Sequence, residues 1–168
     1  MGAKLKEFTF LSHIEFVIYR VNSLAMNTVN HILSRKGSQA ISVLAGTTVF
    51  DALKLMAEKN IGSVVVTGAD GLFQGIVTER DYSRKVVLMG KSSTEATVEE
   101  IMSNDLPRVS LQDTVDHCMQ LMTSRNIRYL PVFASNELKG IISMSDVVKE
   151  TILKQQETID HLHQYINL

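Results

Sequence analysis

The chain's 168 residues, 45 % hydrophobic and 21 % charged, suit one compact core or two very small ones, and argue against a large multidomain enzyme, a disordered chain or a fibrous one. Seventeen Lys and Arg against eighteen Asp and Glu leave a net charge of −1, so no overall positive field would hold a polyanion and nucleic acid is not an expected partner. Cys118 stands alone, which removes an intramolecular disulfide or a thiolate zinc cluster and fits a reducing compartment.

In chain order, residues 8–25 (FTFLSHIEFVIYRVNSLA) come first. His13, Glu15 and Arg20 interrupt this apolar stretch well before the roughly 20 uncharged residues of a membrane span. Lys4 and Lys6 with Ser23 to Ala25 mimic a secretory leader, but Glu7 and Glu15 spoil the pattern. The segment reads as an accessory helix or strand packing on the domain, or as an upstream extension of unclear role ahead of Met26.

An internal repeat organises the chain beyond Lys36. TVFDALKLMAEKNIGSVVV at 48–66 aligns without a gap to TVDHCMQLMTSRNIRYLPV at 114–132, and GIVTERD at 75–81 aligns to GIISMSD at 140–146. The period is about 65 residues, which makes each copy one supersecondary unit. Val49, Ala52, Leu53 and Met56 recur at i, i+3, i+4, i+7, as do Val115, Cys118, Met119 and Met122, so each copy holds an amphipathic helix. Val64 to Thr67 reads as a buried strand, Gly68 to Gly71 as a turn and Leu72 to Val77 as the hairpin partner. The second copy offers Tyr129 to Phe133, a turn at Ser135 and Asn136, and Leu138 to Ile142. Short strands at Ile41 to Leu44 and Arg108 to Leu111 precede these, and helices at Arg80 to Met89 and Asp146 to Lys154 come after them.

The fold class is therefore α/β: two βαββα repeats over residues 26–90 and 98–155, joined by a polar linker at 91–97. About 50 residues bury too little surface to stand alone, so the copies are expected to pack together with pseudo-twofold symmetry. Ile152, Ile159, Leu162 and Ile166 add a C-terminal helix, 156–168, beyond the second repeat.

Both copies carry a hydroxyl residue, two residues, then Asp where the last strand meets the last helix: Thr78 to Asp81, and Ser143 to Asp146 with Ser145 between. Backbone N–H groups and the positive helix end favour phosphate there, and an Asp one turn in suits the two hydroxyls of a ribose. The same spacing also describes a helix N-cap with no ligand at all. Arg128, between Ile127 and a strand, could aim a guanidinium at phosphate or lie on a solvated strand edge, and Arg80 and Arg84 with Lys85 form either a basic site or a solvated helix face. His161 and His163 are two apart in a helix, which is wrong for a metal pair, so no metal site is expected. Cys118 on the apolar stripe reads as a buried, inert thiol, and Met56, Met119, Met122 and Met144 as core filling.

The helix stripe, the strand ending in Pro-Val or its Val65-Val66 counterpart, and the GIVTERD and GIISMSD junctions, present twice, resemble the tandem cystathionine-β-synthase (CBS) domain, or Bateman module, over about residues 30 to 155. TERDYSRKVVLMGKSS and the tail QQETIDHLHQYI are similar to small stand-alone bacterial CBS-pair signal-transduction proteins. The resemblance implies a regulatory rather than catalytic protein, without a catalytic cofactor, that binds AMP, ATP or NAD(H) in two clefts. It implies Asp81 and Asp146 as ribose ligands, Thr78, Ser143 and Ser145 on ribose or phosphate, and Arg128 on phosphate. Lys36 to Ile41 and Asp105 to Arg108 would line adenine pockets, with Ile61, Gly62, Tyr129 and Pro131 also at the nucleotide.

Arg80 and Arg84 at the first junction, beside the small Gly62 and Ser63, lead us to expect a dinucleotide at Asp81 and a mononucleotide at Asp146. The expected setting is cytoplasmic, with no membrane association. A homodimer is expected, its faces built by Val86, Val87, Val147 and Val148 and by the C-terminal helix, with a protein target still to be identified. The alternative is a scaffolding protein that works through its C-terminal helix, with vestigial clefts.

Overall fold

The computed structural model describes residues 27–166, and their side chains through residue 164. The apolar segment 8–25 therefore lies outside the described residues, as does the side chain of Ile166. The architecture is mixed α/β: two three-stranded sheets, one from each repeat, and six α-helices among the described residues, the last of them C-terminal.

The first repeat runs α1 (Val29–Lys36), β1 (Ser42–Leu44), α2 (Val49–Lys59), β2 (Ser63–Thr67), β3 (Phe73–Thr78), α3 (Glu79–Tyr82) and a π-helical turn at Ser83–Val87. The second runs α4 (Val98–Ile101), β4 (Val109–Ser110), α5 (Val115–Ser124), β5 (Tyr129–Ala134), β6 (Glu137–Ser143) and α6 (Met144–Ile166). In each sheet the first strand pairs parallel to the second, across an intervening helix, and the third strand follows the second as a hairpin.

The repeat extends to individual hydrogen bonds. Thr48 Oγ1 accepts from the Asp51 N–H to cap α2, and Thr114 Oγ1 accepts from the His117 N–H to cap α5. Ile61 N donates to Met56 O as Ile127 N donates to Met122 O, and Asn60 and Asn126 both turn the chain at positive φ. Ser135 and Asn136 both have positive φ, the requirement of a two-residue type I′ hairpin.

The chain forms two compact units. One comprises residues 37–110 and 130–141. Its core clusters Val49, Ala52 and Met56 of α2 with Val64, Val66 and Val77 of the sheet and Val86, Val98 and Ile101 beyond it. The other comprises residues 27–36, 111–129 and 142–166. Here Val29, Ile32 and Leu33 of α1, Val115, Cys118 and Met122 of α5, and Val147 of α6 are buried. Burial, helped by the Asp113 carboxylate, pushes the Cys118 thiol up to about 11, which keeps it protonated and inert.

The glycine that opens the GIVTERD junction has a steric reason. Ile76 exchanges backbone hydrogen bonds with Ser103, so the segment after α4 lies against β3. A Cβ on Gly75 would stand 2.9 Å from the Ser103 carbonyl oxygen and 2.9 Å from Met102 Sδ. A backbone oxygen cannot step aside as a side chain can. Gly75→Ala is therefore expected to cost about 1 to 3 kcal/mol, as overpacking does, measured as a lowered midpoint in urea unfolding.

Three sequence expectations change. The helix after β3 is not a regular α-helix over Arg80 to Met89: it has one α turn from Glu79, then the π turn. The second-repeat helix and the C-terminal helix are one continuous 23-residue helix from Met144. The short helices α1 and α4 were not anticipated, because eight and four residues give too little periodicity to read.

Candidate functional site

Each unit holds one of the two hydroxyl-xx-Asp junctions, and each junction is built the same way. A main-chain carbonyl from the segment before the central strand accepts from the first amide of the helix. Gly62 O takes Glu79 N at 3.3 Å, and Arg128 O takes Met144 N at 2.9 Å. This ties the end of β3 or β6 beside the start of β2 or β5 and fixes where the Asp side chain stands.

At the first junction Thr78 caps α3. Its Oγ1 accepts from the Asp81 N–H at 3.2 Å, while Asp81 Oδ2 accepts from the Thr78 N–H at 3.0 Å and from Thr78 Oγ1 at 2.6 Å. This is a capping box with Asp in the third position. The other oxygen, Oδ1, takes the Lys85 ammonium at 2.8 Å and the Ser103 hydroxyl at 3.4 Å. Lys85 Nζ also donates to the carbonyl of Ile101 at 2.6 Å, so the cation bridges Asp81 and α4.

At the second junction Asp146 Oδ2 accepts from the Ser143 N–H, from Ser143 Oγ and from the Lys36 ammonium, each at 2.7 Å. Ser143 Oγ lies 2.8 Å from Ser145 Oγ and accepts from the Asp146 N–H at 3.2 Å. Among the described residues, no hydrogen bond or ion pair reaches Asp146 Oδ1. Burial acts to raise the Asp146 pKa, but the hydrogen bonds from Lys36 and Ser143 and the Lys36 charge outweigh it, and the carboxyl titrates below its ordinary 3.8.

Lys36, Ser143, Ser145 and Asp146 thus form one connected cluster, with the Arg128 carbonyl bonded at the same junction. Tyr129 is half-buried at the start of β5, and the Arg128 residue is exposed. Around Asp81 the structure gathers Thr78, Lys85, Ser103 and the Gly62 carbonyl. Arg84 is exposed, whereas Arg80 and Ile61 are partly buried. Ile41 contributes its main-chain carbonyl to Val65 N, and Pro131 is buried within β5. Arg108 lies over the Phe133 ring, 4.5 Å from its centre.

Reading the sequence for a basic face passed over three participants: Ser103, Lys85 as a partner of Asp81, and Glu150. Lys85 follows Asp81 by four residues, the spacing of a helical ion pair, and that signal was available. Glu150 occupies the position in the second repeat that Lys85 occupies in the first. It is buried, with Arg35 Nη2 at 3.7 Å and no hydrogen bond to Oε1. Among the described residues, no group of three or more His, Cys, Asp or Glu could hold a metal ion.

The family model of the CBS domain matches residues 29–87 and again 98–152, and the chain belongs to the CBS-domain family. Its fold is similar to that of a protein from Burkholderia ambifaria MC40-6 described as a signal-transduction protein with CBS domains. The two share 45 % identity with a TM-score of 0.73, over 77 % of this chain and 96 % of that one. A mitochondrial CBS domain-containing protein of Arabidopsis thaliana, CBSX3, is 35 % identical over 147 residues, 83 % of this chain and 71 % of the relative. A hexameric CBS-CP12 protein from bloom-forming cyanobacteria is 30 % identical with a TM-score of 0.65, over 73 % of this chain and 67 % of that one. Longer Arabidopsis relatives are matched over only 22 to 23 % of their length. CBS pairs are generally regulatory, ligand-binding modules and typically not catalysts. No helix among the described residues is long and apolar enough to cross a membrane.

Proposed function

We propose that this CBS pair is a sensor of an adenosyl nucleotide, of the AMP, ATP or NAD(H) kind, which it relays through a partner protein or through its own assembly. One observation carries the reading. Asp146 is held ionised at a strand-to-helix junction with one oxygen to which no described residue donates, beside a Lys36 ammonium that carries two N–H groups beyond its bond to Asp146. A ribose hydroxyl fits the open oxygen, and the ammonium and the Ser145 hydroxyl fit a phosphate. These are groups that bind and orient a ligand, so the reading is regulatory.

A few charge-assisted bonds with burial of the adenine should amount to roughly 7 to 9 kcal/mol, a micromolar-range Kd. Calorimetric titration with AMP, ATP and NADH tests this, and a flat response to all three at millimolar ligand overturns it.

The assembly expected to carry the signal is a homodimer. Of the valines expected on its faces, Val86 and Val147 are buried in the cores instead, while Val87 and Val148 are exposed; with Val148, the exposed Ile152, Ile159 and Leu162 keep to one face of α6. The hexameric relative is consistent with self-association through such faces. Light scattering should give twice the 18.7 kDa chain mass, and a monomer at high micromolar concentration would remove the dimer. The same exposed face on α6 supports a scaffolding role as the second reading. A reducing compartment, cytoplasmic or organellar, suits the single buried thiol.

A further inference from the structure

We infer that Lys85 acts as a latch that closes the Asp81 junction, so that the chain takes one nucleotide, at Asp146, rather than two. The inference rests on the proposed nucleotide reading and deepens it.

A carboxylate can accept on both of its oxygens. At Asp81 both oxygens are engaged: Oδ2 holds the Thr78 N–H and hydroxyl, and Oδ1 forms an ion pair with the Lys85 ammonium at 2.8 Å and accepts from the Ser103 hydroxyl at 3.4 Å. At Asp146 every bond from the described residues falls on Oδ2, and Oδ1 is the oxygen that a ligand would take. A ribose hydroxyl reaching Asp81 Oδ1 would have to displace the Lys85 cation and give up its ion pair. The bond from Lys85 to the Ile101 carbonyl holds the cation in that place.

The repeat itself shows the device to be local. Lys85 aligns with Glu150, and a carboxylate in that place cannot hold an Asp. Lys85 stands at the centre of the π turn Ser83–Val87, whereas α6 runs on as a regular helix through the aligned residues 148–152. The wider π turn re-aims the side chains it carries, and such turns are frequent at functional sites. The basic cluster after Thr78, which as sequence pointed to a dinucleotide, therefore works in part against ligand entry.

Titration calorimetry with AMP reads the stoichiometry. The unaltered protein should bind one AMP per chain, and Asp146→Asn should weaken that event at least tenfold. Lys85→Met keeps the stem and removes the charge, and should raise the stoichiometry from one to two. In the Asp146→Asn background, adding Lys85→Met should restore one equivalent, a gain that a merely structural role for Lys85 would not produce. Two AMP per chain without any substitution, or Lys85→Met remaining at one, overturns the latch while leaving the nucleotide reading standing. Absence of AMP binding in every one of these proteins overturns the nucleotide reading and the latch with it.

Discussion

Asp146→Asn is expected to cost AMP about tenfold to a hundredfold in affinity, with a smaller loss of thermal stability from the Lys36 ion pair it removes. The substitution is nearly isosteric and keeps an acceptor for the Ser143 N–H that caps α6, so the junction can still form. What it removes is the negative charge facing the ligand. Hydrogen bonds to a charged group are worth about 1.5 to 3 kcal/mol, against roughly 1 for neutral ones, and each 1.4 kcal/mol is a factor of ten. The lowered Asp146 pKa sets the pH dependence. A depressed carboxylate supplies its stabilisation fully above its unfolded value, near 3.8, and loses it as pH falls through the lower folded value. Asp146 therefore stays ionised from pH 8 to 5, so its contributions to stability and to AMP binding should both stay flat there and decline only in acid below about pH 4. Calorimetry at three pH values checks both points, and an unchanged Kd in Asp146→Asn would remove the ribose assignment.

The large features of the fold were legible because the repeat states them twice. Thr48 and Thr114 with their apolar stripes mark α2 and α5, and the β-branched run before Gly68 marks β2. Ser135-Asn136 marks the hairpin, since two residues of positive φ satisfy its turn. What escaped was whatever depends on contacts far apart in the chain or on an irregular backbone. Lys36 is 110 residues from Asp146, and no local spacing relates them. Ser103 reaches Asp81 because a bridge to Ile76 places it there, and the glycine that permits the approach reads in sequence only as part of a motif. The π turn left no periodic trace, because five residues cannot distinguish it from an α turn.

The N-cap reading of the junctions holds as geometry. Both Asp residues do cap their helices, and the cap consumes only Oδ2. The difference between the junctions therefore lies in the second oxygen, and it was written in the Lys85 and Glu150 pair rather than in the motif itself.

Met56→Ala and Met122→Ala should be more destabilising than any substitution at the junctions. The two methionines sit at the same place in their repeats, fully buried on α2 and α5, one in each compact unit. Truncating a buried Met to Ala removes its transfer energy and leaves a cavity that the surroundings fill only partly, about 2 to 5 kcal/mol in all. For a chain of this length, each kcal/mol shifts the Tm by about 2 to 4 °C, so a fall of roughly 5 to 20 °C is expected by calorimetry. Met→Leu at either site nearly conserves volume and should cost less than about 1.5 kcal/mol. The pair of substitutions also separates two uses of methionine. If these side chains packed the core, stability should fall while AMP affinity per folded molecule is kept. Had they formed an adaptable binding surface, affinity would fall first, and Met→Leu would weaken it as well. The half-buried Met119, one residue past Cys118 on the same helix, should give a smaller loss than Met122, in proportion to the surface it keeps from water.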